Sequence, residues 1–461
     1  MTPLELRATS GLAAIYAVRM AGLFMILPVF MLYADVLPSA TPLLMGLALG
    51  IYGLTQAMLQ IPFGMLSDRV GRKPLIALGL ALFIAGSVIA AMAESVYGII
   101  LGRALQGAGA VAAAVLALTA DLIAEERRTR ALAAIGLTIG LTFTASMVLG
   151  PVVDRWFGLA GIFWLTALLG LLALLLLFTW VPQPARSRPH PDMVPVPGGL
   201  RGVLHDPELL RLNAGIFILH LTLAANFLVL PLTLVNRLGL DPAQHYLVYL
   251  PVLLLGFGLM IPAVIRAERQ RALKPALIGA ITVLIAVQAM LPFSGHWVTL
   301  GLALVLFFAA FNLLEAALPS LVAKTAPVAS KGTAMGVFSS CQFLGIFAGG
   351  MLGGAVLTHG GSAAVFGLGL AAALLWFWAA VTMAPPSHLA NRAYAFPDAW
   401  KQASAQLNAR LAELAGVAEV RVSASEAAVY LKVDPGRFDE TALRDLFRRG
   451  TPGGGRTSSR V

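Results

Sequence analysis

Arg19, Arg103, His220 and Glu315 each interrupt a long run of uncharged, mostly apolar residues. A charge in such a setting is costly unless it is paired or hydrated, so each of the four is a candidate for chemistry. Glu315, in "FNLLEAALPS", is the carboxylate most deeply embedded in such a run. Burial and neighbouring cations push a carboxyl group in opposite directions, and a group balanced between them exchanges protons near neutrality. His220 titrates in that range without help. Two alternatives stand beside proton exchange. Glu315 can hold a permanent ion pair with Arg19 or hydrogen bonds with Asn312, and His220 can be a hydrogen-bonded core histidine.

A second concentration of charge lies in "GMLSDRVGRKP", where Asp68, Arg69, Arg72 and Lys73 fall close together in a chain only 12% charged. Gly64 leaves room for the second and eleventh spans to approach closely between the two halves, and Gly71 permits a sharp turn. Arg72 is expected to turn back to Asp121. These residues together read as a latch that holds one face of the molecule closed. The basic residues alone would also serve as a topology signal.

The elements that must position these groups are membrane spans. The 461 residues are 59% hydrophobic, and a span needs roughly 20 apolar residues to cross the bilayer. Breaks at charged or Gly/Pro-rich positions predict twelve helices, at about 10–34, 42–66, 74–93, 97–124, 131–154, 158–181, 212–236, 244–265, 275–293, 297–323, 332–357 and 363–384. Arg19, Arg103, His220 and Glu315 then fall on spans 1, 4, 7 and 10. Arg19, His220 and Glu315 lie about nine residues, roughly 13 Å, from the same side. Arginine and lysine crowd the even-to-odd loops, which predicts that both termini are cytoplasmic. The net charge of +10 is thereby a topology signal and points to no nucleic-acid partner. The single Cys341 excludes an internal disulfide and a cysteine metal cluster, and no metal or cofactor motif occurs.

The proline-rich stretch 182–210 reads as a cytoplasmic linker between residues 1–181 and 211–386, six spans each. The halves repeat one another. "LQIPFGMLSDR" at 59–69 returns as "LMIPAVIRAER" at 259–269, and "FMILP" at 24–28 as "FLVLP" at 227–231. Such a repeat marks a two-bundle transporter with its site between the halves.

On these residues the chain resembles the major facilitator superfamily. Gly64, Leu66, Asp68, Arg69, Gly71, Arg72 and Lys73 fit that family's loop G-x-L-x-D-R-x-G-R-[KR] between spans 2 and 3. "GRALQGAGA" fits its span 4 element, supplying Arg103 and Gln106. The antiporters' span 5 pattern G-x-x-x-G-P-x-x-G-G is kept only at Gly150 and Pro151, with Ser146, Val153 and Asp154 elsewhere. The resemblance implies an all-α membrane protein of two six-helix bundles, alternating access, and proton-driven efflux. It associates Arg103 with proton coupling and lines the central cavity with spans 1, 4, 7 and 10. Phe24, Met25, Phe227, Asn226, Asn312 and Gln342 make that cavity apolar and lightly polar, suited to a lipophilic substrate.

Past Pro386 the pattern changes. Residues 387–450 read as βαββα, an α+β domain of ferredoxin-like type on the cytoplasmic side. It is similar to small metal-carrying domains of that fold but has no cysteine to hold a metal. Self-association or contact with the loops is its expected role. Residues 451–461 read as a disordered tail. No nucleophile–base cluster or phosphate loop occurs. The expected function is secondary transport in the bacterial inner membrane, with lipid, protons and a small molecule as partners. Proton-coupled export is the leading reading; the rivals are a facilitator or importer of a small solute, and a membrane sensor that signals through its soluble domain.

Overall fold

A computed structural model describes residues 1–123, 125–183, 199–327, 330–385, 389–397, 400, 402–423, 428–434 and 436–449. Most of the expected linker and all of the expected tail at 451–461 lie outside them.

The helices, in order, are α1 (Pro3–Phe24), α2 (Pro42–Val70), α3 (Arg72–Ala91), α4 (Val96–Ala108), α5 (Ala112–Leu122) and α6 (Glu125–Thr179). They continue with α7 (Gly199–His205), α8 (Pro207–Phe227), α9 (Leu230–Leu238), α10 (Tyr246–Arg269), α11 (Leu273–Met290), α12 (Trp297–Thr325) and α13 (Lys331–Val381). Among the described residues, nine segments are long and apolar enough to cross a membrane. Two of them are double-length and broken at a glycine, and with α1 added the described residues hold twelve span-length passages. α1 begins earlier than expected because Thr2 and Glu5 form a reciprocal cap on its first turn.

The breaks in the helices have local causes. α6 is interrupted at Gly158 (φ 62°, ψ −171°) and α13 at Gly361 (φ 65°, ψ −168°). Both are left-handed conformations open to glycine, and each separates two consecutive spans. Span 1 leaves its helix after Phe24 just before Pro28, and span 7 passes from α8 to α9 just before Pro231. Proline brings no N–H to continue the ladder. Span 4 is broken between α4 and α5 around Gly109.

The two halves meet along α2 and the first part of α13. A Cβ placed on Gly46 would lie 2.0 Å from the Gly350 oxygen, and one on Gly53 2.4 Å from that of Phe343. Small residues let the backbones touch, as helices in lipid do. Leu168, Leu171, Leu172 and Leu175 on span 6 are exposed, as a lipid-facing surface requires.

The C-terminal unit is β1 (Ala390–Ala395), α14 (Ser404–Ala412), β2 (Val417–Ser423), β3 (Ala428–Val433) and α15 (Glu440–Arg449). The antiparallel sheet has the order β1-β3-β2, as a split βαβ unit gives. Phe396, Trp400, Leu407, Leu411, Leu431 and Leu443 fill its core. Asp439 caps α15; hydrogen bonds from the Thr441 side chain and backbone hold its carboxyl below the usual carboxylate range.

Candidate functional site

Three helices of the second half bring polar groups together at mid-span. Glu315 comes from α12, His220 from α8 and Gln342 from α13. The Gln342 amide donates to Glu315 Oε1 at 2.9 Å and lies 2.9 Å from His220 Nε2. His220 Nδ1 is 3.2 Å from the Ile216 carbonyl, one turn back. That pattern assigns the neutral tautomer in which Nδ1–H donates and Nε2 accepts. His220 Nε2 stands 3.7 Å from Glu315 Oε2. The histidine side chain is 4% exposed, whereas the glutamate side chain is 35% exposed. The glutamate side chain is thus part-exposed, although its Oε2 is itself buried, whereas the imidazole is buried as a whole. Phe311 packs against His220, and Phe24, Phe143 and Phe308 continue an aromatic wall across the two halves.

Arg19 does not join this cluster. It is buried in the first half, where Nη2 donates to Tyr52 Oη (2.8 Å), Gln56 Oε1 (2.6 Å) and Gln106 O (3.4 Å). Arg103 is 0% exposed and donates through Nη1 to Gly22 O (2.8 Å) and Gln106 Oε1 (3.1 Å), and through Nε to Ala48 O (3.4 Å). Gln106 completes the net by donating to Ser87. An ion pair between Arg19 and Glu315 is thus replaced by neutral partners, because Arg19 is held among spans 1, 2 and 4. Asn312 does not bond Glu315; its Nδ2 has no partner among the described residues. Asn226, 1% exposed, accepts from Gln288 at 3.3 Å inside the second half, so it packs away from the cavity.

The charged loop is built as an ion-pair cluster. Arg72 pairs with Asp68 and, through Nε, with Asp121 Oδ2 at 3.3 Å. Its Nη1 also donates to Ser67 Oγ at 2.6 Å. Gly71, at φ 104°, ends α2 so that Arg72 can start α3. Lys73 is buried and donates to Val181 O at 2.5 Å, tying span 3 to the end of span 6. Arg69 is exposed.

Three expected placements are corrected. A Cβ on Gly64 would meet only Ala113 of its own half, so the close approach of spans 2 and 11 lies at Gly46 and Gly350 instead. A Cβ on Gly150 would be 2.4 Å from Met25 O. Gly150 and the neighbouring Pro151 thus sit where span 5 meets span 1 within one half, not between halves. Asp68, Arg72 and Asp121 all belong to the first half as well, so their pairing cannot by itself bridge the bundles.

Near that loop a Cβ on Gly136, Gly258 or Gly336 would meet nothing within 4 Å, and these glycines lie on spans 5, 8 and 11. One turn further in, a Cβ on Gly140 would lie 3.3 Å from Phe257, so spans 5 and 8 touch there. Residues that composition did not single out complete the picture: Tyr52 and Gln56 on Arg19, and Ser67 on Arg72. The i, i+4 spacing of Tyr52 and Gln56, in a span facing Arg19, was the available signal.

Lys432 on β3 is 4% exposed and reaches Thr325 O (3.5 Å) and Ala326 O (3.4 Å) at the end of α12, while pairing with Glu419 at 3.4 Å. The soluble unit meets the transmembrane helix that carries Glu315.

A family model described as Major Facilitator Superfamily matches residues 12–350. Over 450 residues the chain is 44% identical to the inner membrane transport protein YajR of Escherichia coli K12, covering 96% of this chain and 98% of that one. It is 33% identical over 353 residues to the uncharacterized transporter BU466 of Buchnera aphidicola, covering 76% and 90%. Among solved structures, a bacterial homolog of the human lysosomal transporter Spinster, inward-facing and occupied, aligns with TM-score 0.67 at 14% identity, covering 83% of this chain and 98% of that one.

Proposed function

Because this chain belongs to the major facilitator superfamily of membrane transporters, we propose that it exports a lipophilic drug-like compound or metabolite across the bacterial inner membrane, driven by protons moving inward. The observation that carries this reading is the Glu315–Gln342–His220 cluster. It places beside His220 a part-exposed glutamate side chain whose Oε2 is buried and has no hydrogen-bond partner among the described residues. That oxygen is where a proton would be taken up and released. A proton there cancels the only carboxylate charge that the cluster holds, and the aromatic wall favours an apolar passenger over a sugar or a dianion.

The basic loops support a cytoplasmic position for both termini and for the charged loop after span 2. Asp68, Arg72 and Asp121 then brace the cytoplasmic end of the first half, making it one rigid body that moves against the second. Arg69 lies free at the same end to meet solvent or lipid headgroups. Lys432 grips the end of span 10, about ten residues or roughly 15 Å beyond Glu315, which suits a soluble domain that restrains this helix.

The test uses proteoliposomes containing a pH-sensitive dye, with an imposed pH gradient and a panel of lipophilic compounds. Wild-type protein should move protons when a substrate is added, and Glu315→Gln should not. Substrate exchange without a gradient should persist in the variant. Flux without any proton movement in the wild type would make the protein a facilitator; ligand binding without flux would make it a sensor.

A further inference from the structure

The first half encloses two guanidinium groups and, among the described residues, no carboxylate that faces them. Arg19 is 3% exposed and Arg103 0%. Among the described residues, every hydrogen-bond partner of either is neutral: Tyr52, Gln56, Gln106, and the carbonyls of Gly22, Ala48 and Gln106. The acids of this half that the structure describes in contacts are engaged elsewhere, Asp68 and Asp121 with Arg72, Asp154 with Tyr33, and Glu5 with Arg127. Both guanidinium groups lie against one ring, at 5.8 Å and 4.9 Å from the Tyr52 centroid.

Part of this charge is met by helix ends. Gly22 lies in the last turn of α1 and Gln106 in the last turn of α4, where the helix breaks leave carbonyls to accept from the arginines. A helix C-terminus carries roughly half a negative charge. Two such ends offset about one of the two positive charges and leave about one. A buried charge left unpaired is strongly disfavoured. Arg19 Nη1 and Arg103 Nη2 each have no hydrogen-bond partner among the described residues, so each arginine retains a donor nitrogen for a further ligand. Glu315 is held by Gln342 on the other half; any compensation from it would come and go as the halves move.

We propose that Arg19 and Arg103, with Tyr52, Gln56 and Gln106, form a binding site for one monovalent anionic group. That group is either a free halide or the anionic head of an amphipathic molecule. Arg19 Nη1 and Arg103 Nη2 are the donors, and the Tyr52 ring fixes the spacing between the two cations. The site depends on the first six spans alone, so it stands or falls separately from the coupling role of Glu315.

The test is thermal unfolding of the full-length protein in detergent at constant ionic strength. Sodium gluconate is replaced stepwise by sodium chloride or bromide in one arm. In the other, gluconate is kept and sodium hexanoate or hexylammonium gluconate is added. A saturable rise in Tm of about 4 °C is expected for an occupied site. A rise with halide assigns the free ion, and a rise with hexanoate but not hexylammonium assigns an anionic head. Arg19→Gln and Arg103→Gln should each abolish the response. Arg19→Lys, which keeps the charge with fewer donors, should fold and respond at least about tenfold more weakly in anion concentration. Equal Tm in all salts overturns the site, as does a response that survives Arg19→Gln or Arg103→Gln.

Discussion

The two six-span halves bury their polar groups by different means. In the first, arginines are locked by neutral acceptors and stacked on Tyr52. In the second, a carboxylate is held by one amide, faces a neutral histidine and sits on a part-exposed side chain. The contrast extends to the loops after spans 2 and 8. Arg72 sits between Asp68 and Asp121, with its own side chain 2% and that of Asp121 1% exposed. The matching Glu268 pairs with Lys324 at 3.5 Å, 47% and 34% exposed. One backbone plan has thus diverged into a half whose mid-span charges are arginines and a half whose mid-span charge is a carboxylate. Arginine does not give up its proton in proteins, whereas a carboxylate can take one up and release it.

The largest effect should come from the loops. Arg72→Ala leaves two carboxylates without their cation and should lower stability by about 3–5 kcal/mol, the cost of breaking a buried ion pair. Lys324→Ala, which removes the span 10 partner of Glu268, should cost about 0–1 kcal/mol because water screens that pair. Chemical denaturation in detergent measures both; equal losses would erase the distinction. Next in size is Glu315→Gln, expected to reduce proton-coupled flux roughly 10²-fold while Tm stays within a degree or two, read from dye-loaded proteoliposomes and a melt. A comparable loss of Tm would give Glu315 a structural role.

A third measurement sharpens the seam between the halves. Gly46→Ala sets a methyl group against the Gly350 carbonyl and should weaken that contact by about 1–3 kcal/mol, the usual scale of overpacking. Gly336→Ala, which meets nothing within 4 Å, should be neutral in this state. Labelling of single cysteines on either side of the seam would report the shift. Leaving aside the controls at Lys324 and Gly336, the smallest effect belongs to Lys432→Ala, about 1 kcal/mol for one cation at a helix C-terminus. Hydrogen exchange at the end of α12 should rise in that variant; unchanged exchange would detach the soluble unit from span 10.

The twelve crossings, the charged loop and the βαββα order were legible because they depend on composition and local pattern. The partners of Arg19, Asn226 and Gly64 were not. Sequence gives the depth of a residue along a span, and Arg19, His220 and Glu315 are at similar depth by count. Their direction around the helix axis decides whether they meet. A helix that is apolar all round offers no polar stripe from which to read its rotation, and α1, α2 and α13 are of that kind. Gln342 was read as a cavity residue, but its place between His220 and Glu315 depends on three such rotations at once. Arg72–Asp121 was easier, because both lie near helix ends where the turn at Gly71 constrains direction.

The lysine ties carry a consequence for the ancestry and assembly of the chain. Lys73 holds the end of span 6 through Val181, and Lys274 holds the end of span 12 through Val381 (3.1 Å) and Met383 (2.5 Å). Each half closes on itself with the same fastening, about two hundred positions apart, as the products of a duplicated six-span gene would. A unit fastened in this way needs no covalent link to its twin. Two separately translated polypeptides, divided within the segment that joins the sixth and seventh spans, should insert independently and reassociate in the bilayer as a working pair.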